Sequence, residues 1–452
     1  MKLNREIFRE YDLRGIVKRD LTDDVVSSIA RGFGTYLQKI SRGREVVVAR
    51  DNRLSSEHLS CLVIEGLLST GCDVTEIGEV PTPIFYFANH HFGTYGGVMI
   101  TASHNPPQFN GFKLVLERKS IYGKQIQDLR EIVEKGRFKK GRGKLRKKNV
   151  INLYFKAIRT KIKLERTISL VIDGGNGIAG PFALNLLKSL GGQVASLYCE
   201  SDGNFPHHPP NPVVAENLRD LIKRVRDTGA ELGIAYDGDG DRIGVVDEKG
   251  EIIWGDKLLI ILAQEILQKL PGAKIIFDVK CSNALAEAIK EKGGIPLMWK
   301  TGHSLIEDKL RQEKSPLAGE LSGHIYFADD WFGFDDALYT SARLLQILSR
   351  SKKKLSEHLS GIREYYASPE IRVSAPEAKK FLIVDKIKRY FQKRYRISDI
   401  DGVKVFFKEG WGLVRASNTE ASLVIRFEAT TPGHLKEIKK LIMKEVKKNL
   451  VR

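Results

Sequence analysis

Three stretches of this 452-residue chain repeat one pattern. They are EVVVARDNRLSSEHLSCLVIEGLLSTGCDVTEIG (45 to 78), ISLVIDGGNGIAGPFALNLLKSLGGQVASLY (168 to 198) and AKIIFDVKCSNALAEAIKEKGGIPLMWKTGH (273 to 303). In each, a short β-branched run leads to Asp, a polar or glycine turn follows, then an amphipathic helix, a glycine-containing turn and a second apolar run. That is a strand–helix–strand unit, and its recurrence predicts three successive α/β domains whose parallel strands carry helices on their faces. After about residue 366 the pattern changes to IRVSA, a charged helix EAKKFLIVDKIKRYFQKRY, then VKVFF, GLVRAS, ASLVIRFEA and a last helix. Strands joined by close hairpin turns predict a small antiparallel α+β domain there. The expected organisation is domains at 1–150, 151–252, 253–366 and 367–452. It amounts to three related α/β domains with mixed sheets plus a smaller C-terminal α+β domain, around a central cleft suited to a small ligand.

A chain of this length must divide among several cores. Its 42% hydrophobic and 29% charged residues are those of a soluble globular protein, and no apolar run approaches the roughly 20 residues of a membrane helix. The start, MKLNREIFREYD, lacks the apolar centre of a signal peptide, so a cytoplasmic location is expected. Cys61, Cys72, Cys199 and Cys281 are scattered and form no CxxC pair, which argues against a disulfide framework or a zinc site. The net charge of +18 would attract phosphates, on nucleic acid or on a metabolite. Much of it lies in FKKGRGKLRKK (138 to 148), read as a linker beside a domain boundary, and in the terminal EIKKLIMKEVKKNLVR, an amphipathic helix with a solvated lysine face. Basicity alone therefore names no function.

The sharpest motif is ELGIAYDGDGDRIGVVDEKG (231 to 250). Asp237, Asp239 and Asp241 alternate with Gly238 and Gly240 between two apolar runs, so three carboxylates converge. They repel one another unless a hard cation sits among them, and oxygen donors suit Mg²⁺. An EF-hand also opens DxDxD, and Glu248 falls at its twelfth position, but its sixth position holds Arg242 where Gly is needed, and strands flank the loop where helices should. Arg242 beside the loop suits a phosphate bridging cation and guanidinium.

A second motif, GGVMITASHNPPQFNGFK (96 to 113), presents Ser103 at the end of a predicted strand. The GxSxG of a hydrolase elbow is absent, and a lone serine in such a loop is ordinarily a cap or turn residue. With the acidic loop, one serine oxygen and three carboxylates make a Mg²⁺ site at which a serine can accept and give a phosphoryl group.

With these motifs the chain resembles the α-D-phosphohexomutases, and within them the bacterial phosphomannomutase/phosphoglucomutase group. TASHNP is similar to the family's phosphoserine loop, DGDGDR to its Mg²⁺ loop, GELSGH (319 to 324) to its sugar-recognition loop and RASNTE (415 to 420) to its phosphate-binding loop. Lesser matches fall in order between them: FREYDLRG (8 to 15), ARDNRLSS (49 to 56), DGNFPHHPPNP (202 to 212), KTGHS (300 to 304) and WFGFDD (331 to 336).

The resemblance implies a mutase that interconverts hexose 6-phosphate and hexose 1-phosphate, accepting mannose and glucose, through a phosphoserine and a bisphosphorylated sugar. Ser103 would carry the phosphate, with Mg²⁺ on Asp237, Asp239, Asp241 and the serine's phosphoryl oxygen, and glucose 1,6-bisphosphate would be activator and intermediate. By the same resemblance Lys113, Arg14 and His324 are candidates for proton transfer; free lysine is a poor base at neutral pH, so Lys113 needs a lowered pKa or acts electrostatically. Glu320 and Ser322 would contact sugar hydroxyls, with Lys280 and His303 supporting sugar or phosphate. Arg415, Ser417, Asn418 and Thr419 would bind the phosphate that is not reacting, with Tyr11 and Arg242 as further phosphate contacts. The expected partners are small hexose phosphates, with no nucleic acid and no membrane, and the chain is expected to be a monomer. Phosphoglucosamine mutase is the alternative within the class. A basic nucleic-acid-binding protein with an incidental metal loop, and a phosphatase that admits water to the phosphoserine, are the readings outside it.

Overall fold

The computed structural model describes residues 3–418 and 421–450. In the first domain the strands run in the order Leu13–Ile16, Phe109–Leu116, Gly96–Ile100, Glu45–Arg50, Asp73–Glu79 and Leu145–Lys147. Glu45–Arg50 pairs in parallel with both of its neighbours, whereas Phe109–Leu116 turns back antiparallel on Gly96–Ile100 and on Leu13–Ile16. The second sheet has the order Ile252–Ile253, Ile243–Asp247, Leu232–Tyr236, Ser169–Asp173 and Gln193–Leu197, and the third has Ile295–Trp299, Lys274–Asp278, Leu317–Gly319 and Ile325–Phe327. Both are parallel in the repeated unit and end in antiparallel strands, so all three sheets are mixed.

The aspartate shared by the three repeats stands at the end of the first strand in each. Asp51 accepts hydrogen bonds from Arg53 N at 3.0 Å and Ser56 Oγ at 2.5 Å, and Asp173 accepts from Gly175 N at 2.9 Å. Asp278 accepts from Thr301 Oγ1 and Cys281 Sγ, each at 3.1 Å. At the first two the carboxylate closes the turn on which the strand hands over to its helix, where backbone N–H groups would otherwise lack partners.

The fourth domain is antiparallel throughout. Ile371–Ser374 pairs with Ser422–Ala429, which pairs with Gly410–Ala416 and then Val403–Phe407; helices Lys380–Phe391 and Pro432–Leu450 accompany this sheet. Two short strands not foreseen from the sequence, Tyr366–Ala367 and Arg396–Ser398, extend its two sides. Among the described residues no helix is long and apolar enough to cross a membrane.

The basic stretch expected to be a linker is folded onto the first domain. Leu145–Lys147 adds a parallel strand to Asp73–Glu79, and Gly143 sits so close that a Cβ there would lie 1.7 Å from the Cys72 carbonyl oxygen. Glycine reads as flexibility in the sequence, but here it permits a backbone contact.

One apolar cluster runs through the first three domains. Phe87 of the first meets Tyr154 of the second and Trp331 of the third, Tyr86 of the first meets Phe334 of the third, and Phe85 and Leu345 belong to the same cluster. The fourth domain has its own cluster, including Ile387, Phe391, Val405 and Ile442, and meets the third across a small seam of Val279, Trp411 and Leu413.

Candidate active site

Ser103 lies in the irregular segment between Gly96–Ile100 and Phe109–Leu116, buried and with a left-handed φ of 51°. That conformation is costly for a residue with a Cβ and is common at functional sites. Its Oγ donates to Asp237 Oδ2 at 2.6 Å and lies 3.0 Å from His104 Nδ1. The two loops touch because Gly238 has no side chain: a Cβ there would sit 2.3 Å from the Ser103 carbonyl oxygen.

The acidic loop joins Leu232–Tyr236 to the antiparallel strand Ile243–Asp247, which agrees with strand flanks and excludes an EF-hand. Asp237 Oδ1 accepts from the backbone N–H groups of Gly240, Asp241 and Arg242 at 3.0 to 3.1 Å, which fixes its carboxylate. Asp239 Oδ2 accepts from Thr82 Oγ1 at 2.7 Å and Thr101 Oγ1 at 3.3 Å, so the first domain orients a carboxylate of the second. Ligand atoms of Asp237, Asp239 and Asp241 lie within 4.8 Å of one another, and Asp239 Oδ1 and Asp241 Oδ1 are buried without a hydrogen-bond partner among the described residues. Orphaned buried carboxylate oxygens are costly, and an all-oxygen set of this kind fits a hard divalent cation. Burial and the charges of Asp241 and Asp239 push Asp237 well above the ordinary carboxylate range.

Lys113 reaches the same loop, with Nζ 3.0 Å from Asp239 Oδ2 and in contact with Asp241 Oδ2. Burial alone would lower its pKa, but the two carboxylates outweigh it and hold the ammonium well above its usual value. That direction is opposite to the one proton transfer by Lys113 would need. Arg14 donates Nε to Asp12 Oδ2 at 2.8 Å and Nη1 to Asn105 Oδ1 at 2.5 Å, which ties it to the serine loop. Arg242 donates Nε to His324 Nε2 at 2.8 Å, leaving the imidazole proton on Nδ1, 2.7 Å from Asp335 Oδ2. Burial lowers the His324 pKa to about 4, so the ring is neutral. Asp241, His324 and Asp335 also have ligand atoms within 4.8 Å, with His324 Nδ1 2.7 Å from Asp335 Oδ2 and neither of those two atoms in a hydrogen bond among the described residues.

The remaining predicted residues line the same cleft, a cavity of ≈ 360 Å³ bounded by Tyr11, Lys280, His303, Glu320, Ser322 and Arg415, with Ser417 and Asn418. Glu320 Oε1 accepts from Gly302 N at 2.7 Å. Lys280 Nζ lies 3.4 Å from Glu370 Oε1 and 3.5 Å from Asp278 Oδ2, and the Tyr11 ring meets His303 edge-on at 5.2 Å. Burial pushes the Tyr11 phenol up to about 12 and drives His303 well below its ordinary value. Arg415 donates Nε to Asp401 Oδ2 at 2.8 Å, and its buried Nη2 has no hydrogen-bond partner among the described residues. Thr419 lies outside the described residues. Three residues with no role in the sequence reading also stand at the site: His104, Arg53 beneath the serine loop, and Asp335 behind His324. Arg53 and Asp335 do fall in ARDNRLSS and WFGFDD, but nothing local in those motifs says what they touch.

A cleft that sets a buried serine on three convergent carboxylates, facing a wall of cations from other domains, defines a metal-assisted phosphoryl-transfer class of protein. Profiles of the phosphoglucomutase/phosphomannomutase alpha/beta/alpha domains I, II and III match residues 5–140, 152–250 and 254–366, and that of the C-terminal domain matches 370–445. The chain belongs to the phosphoglucomutase/phosphomannomutase family. It is 45% identical over 447 residues to the phosphomannomutase/phosphoglucomutase of Pseudomonas aeruginosa, covering 98% of this chain and 96% of that one. It is 44% identical to a phosphoglucomutase of Neisseria gonorrhoeae, with 96% and 95% covered. A crystal structure of a phosphoglucomutase/phosphomannomutase family protein from Burkholderia thailandensis superposes with a TM-score of 0.93 at 42% identity, covering 99% of this chain and 98% of that chain.

Proposed function

We propose that this enzyme interconverts hexose 6-phosphates and hexose 1-phosphates, with mannose and glucose as the sugars, by way of a phosphorylated Ser103 and a bisphosphorylated sugar. The observation that carries the reading is the Ser103 hydroxyl 2.6 Å from Asp237, beside carboxylate oxygens that lack partners. Mg²⁺ fits Asp237, Asp239 and Asp241, where it would offset charge on the transferring phosphoryl group.

In the first half-reaction the bond from Ser103 Oγ to phosphorus breaks as a sugar hydroxyl oxygen bonds to that phosphorus, and the hydroxyl proton ends on Ser103 Oγ. Lys113 and Arg14 act as cations beside the reacting oxygens. His324 is the neutral group of the three candidates, with its proton on the nitrogen facing Asp335. Glu320 and Ser322 hold sugar hydroxyls, and Lys280 and His303 support them. Arg415, Ser417, Asn418 and Thr419 hold the idle phosphate, for which the unpartnered Arg415 Nη2 is a ready donor. Tyr11 and Arg242 complete the phosphate contacts. The bisphosphate then turns end for end and returns its other phosphate to Ser103, with glucose 1,6-bisphosphate as activator. The domains at 1–150, 151–252, 253–366 and 367–452 each supply one of these loops, in a monomer working in the cytoplasm.

Intact-mass analysis before and after addition of glucose 6-phosphate tests the mechanism: one phosphoryl group is expected on the wild type and none on Ser103→Ala. No phosphorylated species in any preparation, together with an active Ser103→Ala, would overturn it. Rates on mannose, glucose and glucosamine 1-phosphates test the sugar, and far faster turnover of the glucosamine ester would reassign it.

A further inference from the structure

The guanidinium of Arg53 is fully buried and is bonded almost entirely to the backbone of one loop. Nη2 donates to the carbonyls of Ser103 and Asn105, each at 2.6 Å, and Nη1 donates to those of Pro106 at 2.8 Å and Phe109 at 3.0 Å. Its Nε stands 3.3 Å from Asp51 Oδ2, which supplies the counter-charge, and the Phe205 ring of the second domain covers it at 5.2 Å. Burial lowers its pKa, as the desolvation cost requires.

The segment Thr101–Gln108 has no regular structure, and two of its residues, Pro106 and Pro107, have no N–H to give. Its own backbone bonds are few, Asn105 N to Ala102 O and Phe109 N to Pro106 O among them. The loop itself sets little against the cost of a positive φ at Ser103 beyond the bond from Ser103 N to Thr101 Oγ1 at 2.9 Å. Four charge-assisted bonds from one rigid fork can hold it, because each is stronger than a neutral hydrogen bond and the planar guanidinium fixes the directions of all its donors. A lysine at the same place has one nitrogen and cannot span four carbonyls.

We infer that Arg53 is a positioning residue for phosphoryl transfer: its guanidinium gathers the carbonyls of residues 103 to 109 inward and so fixes the turn that presents Ser103 Oγ to the acidic loop. The inference rests on the reading of Ser103 as the phosphate carrier. It differs from an ordinary packing role because the bonded groups are backbone atoms of the loop that bears the reacting oxygen.

The test compares wild type, Arg53→Lys and Arg53→Ala in two measurements. The first is single-turnover transfer from phospho-Ser103 to glucose 6-phosphate, normalised to the phosphorylated fraction. A fall of about 10²-fold, with KM for the sugar phosphate within about threefold of wild type, is expected from a misplacement near 1 Å. The second is amide hydrogen exchange, which should rise at least about tenfold in residues 101–112 and stay unchanged in the third and fourth domains. It keeps the idea testable in Arg53→Lys if Arg53→Ala does not fold. Wild-type transfer per phosphorylated Arg53→Lys chain, or unchanged exchange in that loop, overturns the role of Arg53 alone. A wild-type chain that never carries phosphate overturns the mutase reading, and with it this one.

Discussion

The two ends of the cleft are built on different foundations. At the reacting end, Ser103 and the acidic loop come from domains that share one apolar cluster with the third, and Thr82 and Thr101 of the first domain hold Asp239 of the second. At the far end, Arg415 sits on a domain with a separate core, joined to the third by Val279, Trp411 and Leu413 and by a few polar contacts. Those contacts are specific. Lys404 Nζ donates to the Val279 carbonyl at 2.9 Å and lies 3.8 Å over the Trp411 ring, and Arg426 Nη1 donates to the Lys280 carbonyl at 2.5 Å. Covalent chemistry needs fixed geometry to within fractions of an ångström, which a shared core supplies. On the proposed mechanism the far end only holds an idle phosphate, which asks less, and a small and largely polar seam would suffice there.

The largest test of this contrast is at the reacting end. Ser103→Ala should lower turnover by on the order of 10⁴-fold or more with little change in melting temperature, since no other oxygen stands in its place. Removing divalent metal with a chelator should cost about 10³-fold, restored by Mg²⁺ and not by monovalent salt, because loss of charge compensation is worth several kcal/mol. At the far end, Arg415→Ala should lower kcat/KM by about 10- to 100-fold, mostly through KM, as expected for one charged hydrogen bond of about 1.5 to 3 kcal/mol. A fall in kcat as deep as that of Ser103→Ala, with KM unmoved, would break the division between the two ends.

The smallest effect concerns the seam. Burial lowers the Lys404 pKa from 10.5 to about 8, with Glu428 offsetting part of it. Between those values the unfolded chain still holds a proton that the folded one has released, so stability gains with rising pH across that window, by up to about 3 kcal/mol. Chemical denaturation of wild type and Lys404→Met from pH 7 to 11 checks this. The difference between them should change across pH 8 to 10.5 and be flat below it.

Much of the fold was legible because its signals are local. The strand, Asp, turn and helix of each repeat sit within 25 residues or fewer, and the alternation of Asp with Gly in DGDGDR brings three carboxylates together wherever that loop is placed. The site was less legible. The proton position on His324 depends on Arg242, 82 residues away, at Nε2, while Nδ1 stands 2.7 Å from Asp335 of another motif. The grip of Arg53 on residues 103 to 109 spans separations of 50 to 56 residues and uses backbone carbonyls, which leave no mark on side-chain identity. The basic stretch near residue 145 misled for a related reason, since glycines and lysines look the same in a free linker and in a charged strand at a sheet edge.

By itself, then, the sequence determined the three repeated units, the different fourth domain, the triad of aspartates and a serine loop to face them. Each of these is set by side-chain periodicity or by backbone freedom over a few residues. Tertiary structure alone decided that three domains share a core while the fourth does not, that Lys113 is held charged among carboxylates, and that a buried guanidinium shapes the serine loop. Those properties arise from burial and from contacts between distant segments, and both exist only once the domains have packed.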